Sequence, residues 1–183
     1  MELDINTKEV ATELDEGVLR SFVWSVYNFF TICTGEDPEI EVPYLYEGMD
    51  HREYTGAIGV SGNHKGAIYL TLNDDMLESL LEVHCAQNLD QNAQTPEEYE
   101  ELKLDYAGEI INIISGNARN YLGENFLISV PIVINAPNTS LHLTQKGCGI
   151  VFPIKWQGMQ CTLILNLSTS KQQAEGILEN MQS

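Results

Sequence analysis

Apolar residues recur along the chain in blocks of two different periods. From Glu16 to Thr34, the residues Val18, Leu19, Phe22, Val23, Val26, Tyr27, Phe29 and Phe30 follow helical spacing and leave little polar surface. This predicts a helix buried on most sides, ended at Thr34-Gly35. Three strand-like runs follow. Glu39 to Tyr46 is interrupted by Pro43, which places it at a sheet edge. Tyr54 to Ser61 and Lys65 to Leu72 flank Gly62-Asn63-His64, a hairpin turn. Asn73 or Asp74 caps a short helix through His84, and Ala86 to Thr95, rich in Asn, Gln and Asp, reads as a loop. Thr95-Pro96-Glu97-Glu98 opens another helix, with a Thr cap, proline in the first turn and acids at the positive end of the helix dipole.

That second long helix runs to Leu122. Beyond Gly123 come Asn125 to Ile134 (with Pro131 inside it), Lys146 to Trp156, and Gln160 to Leu167, the last two joined across Gln157-Gly158. Ser168 or Thr169 caps a final helix to Met181. The element order is helix, three strands, helix, stated twice. It predicts an internally duplicated α+β domain, two α-β-β-β-α units forming a six-stranded, mainly antiparallel sheet packed with helices. Residues 1–15 are read as an acidic, mobile N-terminal extension and 16–183 as one domain.

The stretch Leu102 to Leu122 is organised in two faces. Tyr106, Ile110, Ile113, Ile114 and Tyr121 fall on one arc at about 100° per residue. Asp105, Glu109, Asn112, Gly116 and Arg119 share an opposing sector roughly 80° wide. A polar helix face is ordinarily a solvated one. Here, however, Glu109 and Asn112 are neighbours at i, i+3, and Gly108 and Gly116 flank them. Each glycine costs a helix about 1 kcal/mol relative to Ala. Close approach of another molecule's backbone to Glu109 and Asn112 would account for both. The first helix shows only Ser25 three residues before Asn28, with no acid.

Charge narrows the partners. Nine Lys and Arg stand against 27 Asp and Glu, a formal net charge of −18. There is no cationic footprint for nucleic acid or for an anionic membrane surface, and a partner with a basic face fits better. No apolar run reaches bilayer-spanning length, and the acidic N-terminus is unlike an export signal, so the cytoplasm is expected. Cys33, Cys85, Cys148 and Cys161 form no metal-ligand spacing and read as reduced, mostly buried thiols. His51, His64 and His142 fall in loops or at strand ends and are read as exposed, and Trp24 and Trp156 as core or interface residues.

The run D-Y-A-G-E-I-I-N-I-I-S-G-N-A (105–118), followed by I-S-V-P-I-V-I (128–134), resembles the CheX/CheC/FliY family of chemotaxis phosphatases, CheX-type members most closely. Tyr54 to Leu72 is similar to the paired strands that precede the second helical region in CheX. The resemblance implies a CheC-like duplicated fold. It implies a phosphatase acting on the phospho-aspartate of a CheY-like response regulator, in chemotaxis or related two-component signalling. Glu109 and Asn112 would be catalytic, and Asp105, Gly108 and Gly116 would serve docking. The chain itself would bind no metal or cofactor; Mg²⁺ and a lysine come with the receiver. A homodimer is implied as well. By analogy only the second half carries the site, and Pro131 is given no catalytic role. The alternative is a non-catalytic module of the same fold that binds a receiver or a flagellar-switch component.

Overall fold

The computed structural model describes residues 14–46, 52–87, 95–136 and 149–169. Helix α1 spans Glu16–Thr34. The Asp15 carboxylate accepts from the Gly17 amide at 3.0 Å, and the left-handed Gly35 closes the other end with its N–H donating to the Thr31 carbonyl. Helix α2 spans Asp74–Gln87. Helix α3 spans Pro96–Leu122 and opens with a full capping box. The Glu98 amide donates to Thr95 Oγ1, and the Thr95 amide donates to the Glu98 carboxylate, both at 3.2 Å. The predicted final helix to Met181, most of residues 1–15, His51, His142 and Cys148 lie outside the described residues.

The strands are β1 (Glu39–Ile40), β2 (Tyr44–Leu45), β3 (Tyr54–Gly62), β4 (His64–Leu72), β5 (Phe126–Ile128), β6 (Ile132–Asn135), β7 (Ile150–Trp156) and β8 (Met159–Thr169). All pairings are antiparallel, in the order β1-β7-β8-β4-β3-β5, with β2 also on β7 and β6 also on β3. Eight strands thus occupy six places, where the sequence predicts six. The two extra strands arise because Pro43 splits one edge run and Pro131 the other; a residue without an N–H cannot continue the ladder. Gln157 and Gly158, both at positive φ, make the tight turn between β7 and β8.

The duplication is visible in this topology. The broken edge strand of each half pairs with the other half: β1 and β2 lie on β7, β5 and β6 on β3. The halves meet at a central β4–β8 ladder running from His64↔Thr169 to Thr71↔Thr162. Exchanging the halves reproduces the same strand order, which is a pseudo-two-fold arrangement.

The core lies between the helices and one face of the sheet. Phe22, Phe29, Phe30, Ile58, Ile68, Leu77, Ile110, Ile114, Phe152 and Leu163 are all buried there. Three details differ from the sequence reading. Leu14, assigned to the extension, is buried in this core. His64, read as exposed, is 9% exposed and packs its ring on Phe126 with centroids 5.8 Å apart. Tyr121, assigned to the apolar arc, is exposed in the last turn of α3, where Leu122 packs against the core instead. Trp24 is 57% exposed, whereas Trp156 is buried.

Lys103 pins α2 to α3. Its ammonium is buried and reaches Glu100 at 2.6 Å, Asp74 at 2.8 Å and Glu78 at 3.4 Å. Burial pulls its pKa down, and hydrogen bonds to Asp74, Glu100 and Tyr54 outweigh that, so it stays charged.

Candidate functional site

Helix α3 presents its polar sector outward as its periodicity predicts. Asp105, Glu109, Asn112 and Arg119 are exposed and Gly116 is partly so, while Tyr106, Ala107, Gly108, Ile110, Ile111, Ile114, Ser115 and Ala118 are buried. Beside this sector runs an open groove of about 390 Å³, lined by Leu104, Asp105, Gly108, Glu109, Asn112, Pro131 and Val133. The structure therefore brings together Asp105, Gly108, Glu109 and Asn112. Gly116 lies one turn beyond Asn112, outside the groove lining.

The two glycines do different work. A Cβ on Gly108 would lie 3.2 Å from Val133 Cγ2 and 3.6 Å from Pro131 Cγ. The close approach that Gly108 permits is thus intramolecular: it seats the β5–β6 edge against α3 and forms the groove wall. A Cβ on Gly116 would meet nothing within 4 Å, so this position does leave the helix face bare to an incoming molecule.

The groove wall is held by hydrogen bonds at the break between β5 and β6. The Gly59 amide donates to Ser129 Oγ at 3.0 Å, the Ser129 amide donates to the Gly59 carbonyl at 2.9 Å, and Ser129 Oγ donates to the Val130 carbonyl at 2.8 Å. Pro131 is fixed by the residue on its amino side and by Gly108 beneath it.

Under the helix the surroundings are apolar and acidic. Burial raises the Cys33 thiol, with Glu109 adding to the effect, and burial raises the Tyr106 hydroxyl, helped by Cys33 and Glu109. Cys33 is therefore a poor thiolate nucleophile. Ser115 is fully buried. Among the described residues no group of His, Cys, Asp and Glu is arranged to hold a metal ion. What the groove offers is the Glu109 carboxylate and the Asn112 amide, neighbours on α3 with the Asp105 carboxylate beside them, and neither Glu109 nor Asn112 has a hydrogen-bond partner among the described residues. A carboxamide is no base near neutral pH, but it can donate and accept at once and so orient a water molecule. A carboxylate can pair with a cation brought by another molecule.

The pseudo-two-fold identifies what the first half carries in the same place. The interval from the helix cap Gly35 to the cap Gly123 equals the interval from Pro43 to Pro131. Stepping back by it from Glu109 and Asn112 lands on Ser21 and Trp24, not on Ser25 and Asn28 as spacing alone suggested. Ser21 is buried, with its hydroxyl donating to the Val18 carbonyl at 2.7 Å. Trp24 projects where the second half has its amide. The same step takes Gly108 to Arg20, so α1 lacks the bare position that lets α3 sit against its edge strand. Only the second half holds the acid–amide pair.

Sequence reasoning gave no role to Leu104 or Val133, and singled out Pro131 in the motif but gave it no catalytic role. The signal for Pro131 was present: a Val-Pro pair occurs once in each half, Val42-Pro43 and Val130-Pro131, at the interval that separates the two capping glycines.

The model of the chemotaxis phosphatase CheX family matches residues 54–155. No curated protein sequence matches the chain. A CheC-like superfamily protein from Shewanella sp. PV-4 superposes with a TM-score of 0.70 at 21% identity, covering 86% of this chain and 99% of that one. Chemotaxis protein CheX from Desulfovibrio desulfuricans gives 0.70 at 20% identity, covering 84% and 99%. The Borrelia burgdorferi structure of CheX complexed with CheY, BeF₃ and Mg²⁺ gives 0.65 at 20% identity, covering 82% and 97%. At these identities the structures attest to a shared fold, an α+β, CheC-like architecture. Among the described residues no helix is long and apolar enough to cross a membrane. With the family match spanning more than half its length, including α3 and the groove, the chain belongs to the CheX family of chemotaxis phosphatases.

Proposed function

We propose that this chain hydrolyses the phospho-aspartate of a CheY-like response regulator. The observation that carries the reading is the Glu109–Asn112 pair, exposed along a groove that holds neither a nucleophile nor a metal-binding group of its own. Such a site is incomplete for a small substrate and suits one that supplies the remaining parts. Phosphoryl transfer asks little covalent work of the protein; positioning and charge stabilisation dominate. The receiver brings the acyl phosphate, its Mg²⁺ and a lysine. Asn112 enters beside the phosphoryl group and holds a water in line for attack, which lowers a mainly entropic barrier. Glu109 pairs with the receiver's lysine and sets the register. Asp105 makes a flanking contact, and Gly116 lets the receiver backbone approach the helix. The relative complexed with CheY supports the choice of partner, and a receiver substrate implies that the chain acts in the cytoplasm.

The test is phosphate release from acetyl-phosphate-charged receiver domains of the same organism, with Mg²⁺ and a substoichiometric amount of this protein. Many phosphates released per chain support the phosphatase. Release that stops at one per chain, or tight binding without release, would assign the groove to a non-catalytic receiver-binding module. The exposed Ile132 and Ile134 on the outer edge strand β6 favour self-association as a homodimer, which sedimentation at micromolar concentration checks.

A further inference from the structure

The residue that precedes the groove wall is the most exposed large apolar side chain among the described residues: Val130, at 81%. It lies in a setting where exposure is not a by-product of disorder. The three hydrogen bonds around Ser129 fix its carbonyl and the strand break, and the next residue, Pro131, is seated on Gly108 and lines the groove. The surrounding run, Phe126 to Ala136, contains no charged residue in a chain carrying a net −18. Sheet edges facing solvent are normally protected by charge, and this one is not. An apolar ridge bordering a small set of polar groups is the anatomy of a protein-binding surface, with the apolar part excluding water and the polar part setting register.

We propose that Val130, with Pro131 behind it, is a second docking contact for the receiver, and that it holds the surface flanking the phosphorylated residue while Glu109 and Asn112 engage the chemistry. The inference rests on the function proposed above. The groove decides the occupant: Val130 is bonded directly to Pro131, which lines the groove, so the molecule that enters the groove over Pro131 is the one placed to meet Val130 at its rim. The receiver patch it meets is apolar, bordered by the cationic group that Glu109 pairs. The duplicated fold supplies an internal control. Val42 precedes Pro43 in the first half and is 62% exposed, but it lies in the half that has Ser21 and Trp24 in place of the acid–amide pair.

The experiment compares wild type, Val130→Asp, Val130→Thr and Val42→Asp in the full chain. It reads the KM for acetyl-phosphate-charged receiver, the Kd for the beryllofluoride-loaded receiver, sedimentation and thermal melting. A rise of at least ten-fold in KM and Kd for Val130→Asp, a smaller rise for the nearly isosteric Val130→Thr, and wild-type values for Val42→Asp establish the contact. Values for Val130→Asp within two-fold of wild type overturn it. So does an equal loss from Val42→Asp, or a change confined to self-association, which would assign the edge to contact between copies. If wild type releases no phosphate yet binds receiver, the proposed catalysis falls and Kd alone decides the docking contact. No binding by wild type to any receiver overturns both.

Discussion

A helix can carry two glycines at the same formal cost for opposite reasons, and α3 does. Gly108 is a packing residue and Gly116 a clearance residue. For Gly116→Ala the helix gains about 1 kcal/mol of propensity and meets no obstacle. We expect a higher melting temperature together with a lower kcat/KM toward charged receiver, a stability gain and an activity loss from one methyl group. For Gly108→Ala the same propensity gain is offset because Val133, 3.2 Å from the added carbon, must give way by a few tenths of an ångström, while Pro131 stays in ordinary contact. Stability should change little, while the displaced groove wall lowers activity. The sequence made both glycines conspicuous but could not separate them. Which side of a helix an edge strand approaches is a tertiary fact, and only the repeated Val-Pro pair pointed to it.

At the level of elements, local chemistry carried most of the information. The Thr95 cap, the helix stop at Gly35, the hairpin at Asn63 and the interruption of the first edge strand at Pro43 are each set by a residue whose backbone or side-chain preference is strong, whereas the Asp15 cap was read as part of the extension and the split at Pro131 was not anticipated. Thr95→Ala should therefore cost about 1 kcal/mol, read as a shift in denaturation midpoint at constant slope. What periodicity could not reveal is the Lys103 cluster, because a lysine at a core-facing position looks like an error until Glu100, Asp74 and Glu78 surround it. Lys103→Met keeps the stem's packing but leaves those half-exposed carboxylates mutually repelling and Tyr54 with one fewer partner. We expect a loss of about 1–3 kcal/mol and faster hydrogen exchange in α2. Tyr54 itself, its hydroxyl pushed up to about 12 mainly by burial, remains un-ionised throughout the accessible range.

At the scale of the molecule, duplication explains both what is symmetric and what is not. The strand order and the central β4–β8 ladder obey the pseudo-two-fold. The site does not, since Ser21 and Trp24 stand at the positions of Glu109 and Asn112. The fold class was readable because two blocks of the same element order predict such a sheet. The register between the halves was not, because their residues have diverged and only caps and prolines still mark it. Acid stability is another property of the whole. Burial lowers the pKa of His64 from its ordinary 6.5, so the unfolded chain takes up its proton first as pH falls. Its contribution is complete above 6.5 and is lost below that value as the pH approaches the folded pKa. Urea melts at pH 7.5 and 5.5 should differ, and His64→Phe should reduce the difference. The net charge of −18 adds a kinetic expectation. Receiver association should slow with added salt if the receiver presents a basic face.

The claim on which the rest depends is that Asn112 performs catalysis rather than docking. The direct measurement is the single-turnover rate of phosphate release at saturating concentrations of this protein over charged receiver, for wild type and Asn112→Ala, beside the Kd of each for the beryllofluoride-loaded receiver. The account predicts that Asn112→Ala loses at least about a hundred-fold in rate, the order expected when one positioned group acting in the transition state is removed, while Kd changes by only a few-fold. An unchanged rate at saturation, with the whole effect in Kd, would contradict it and make α3 a binding helix.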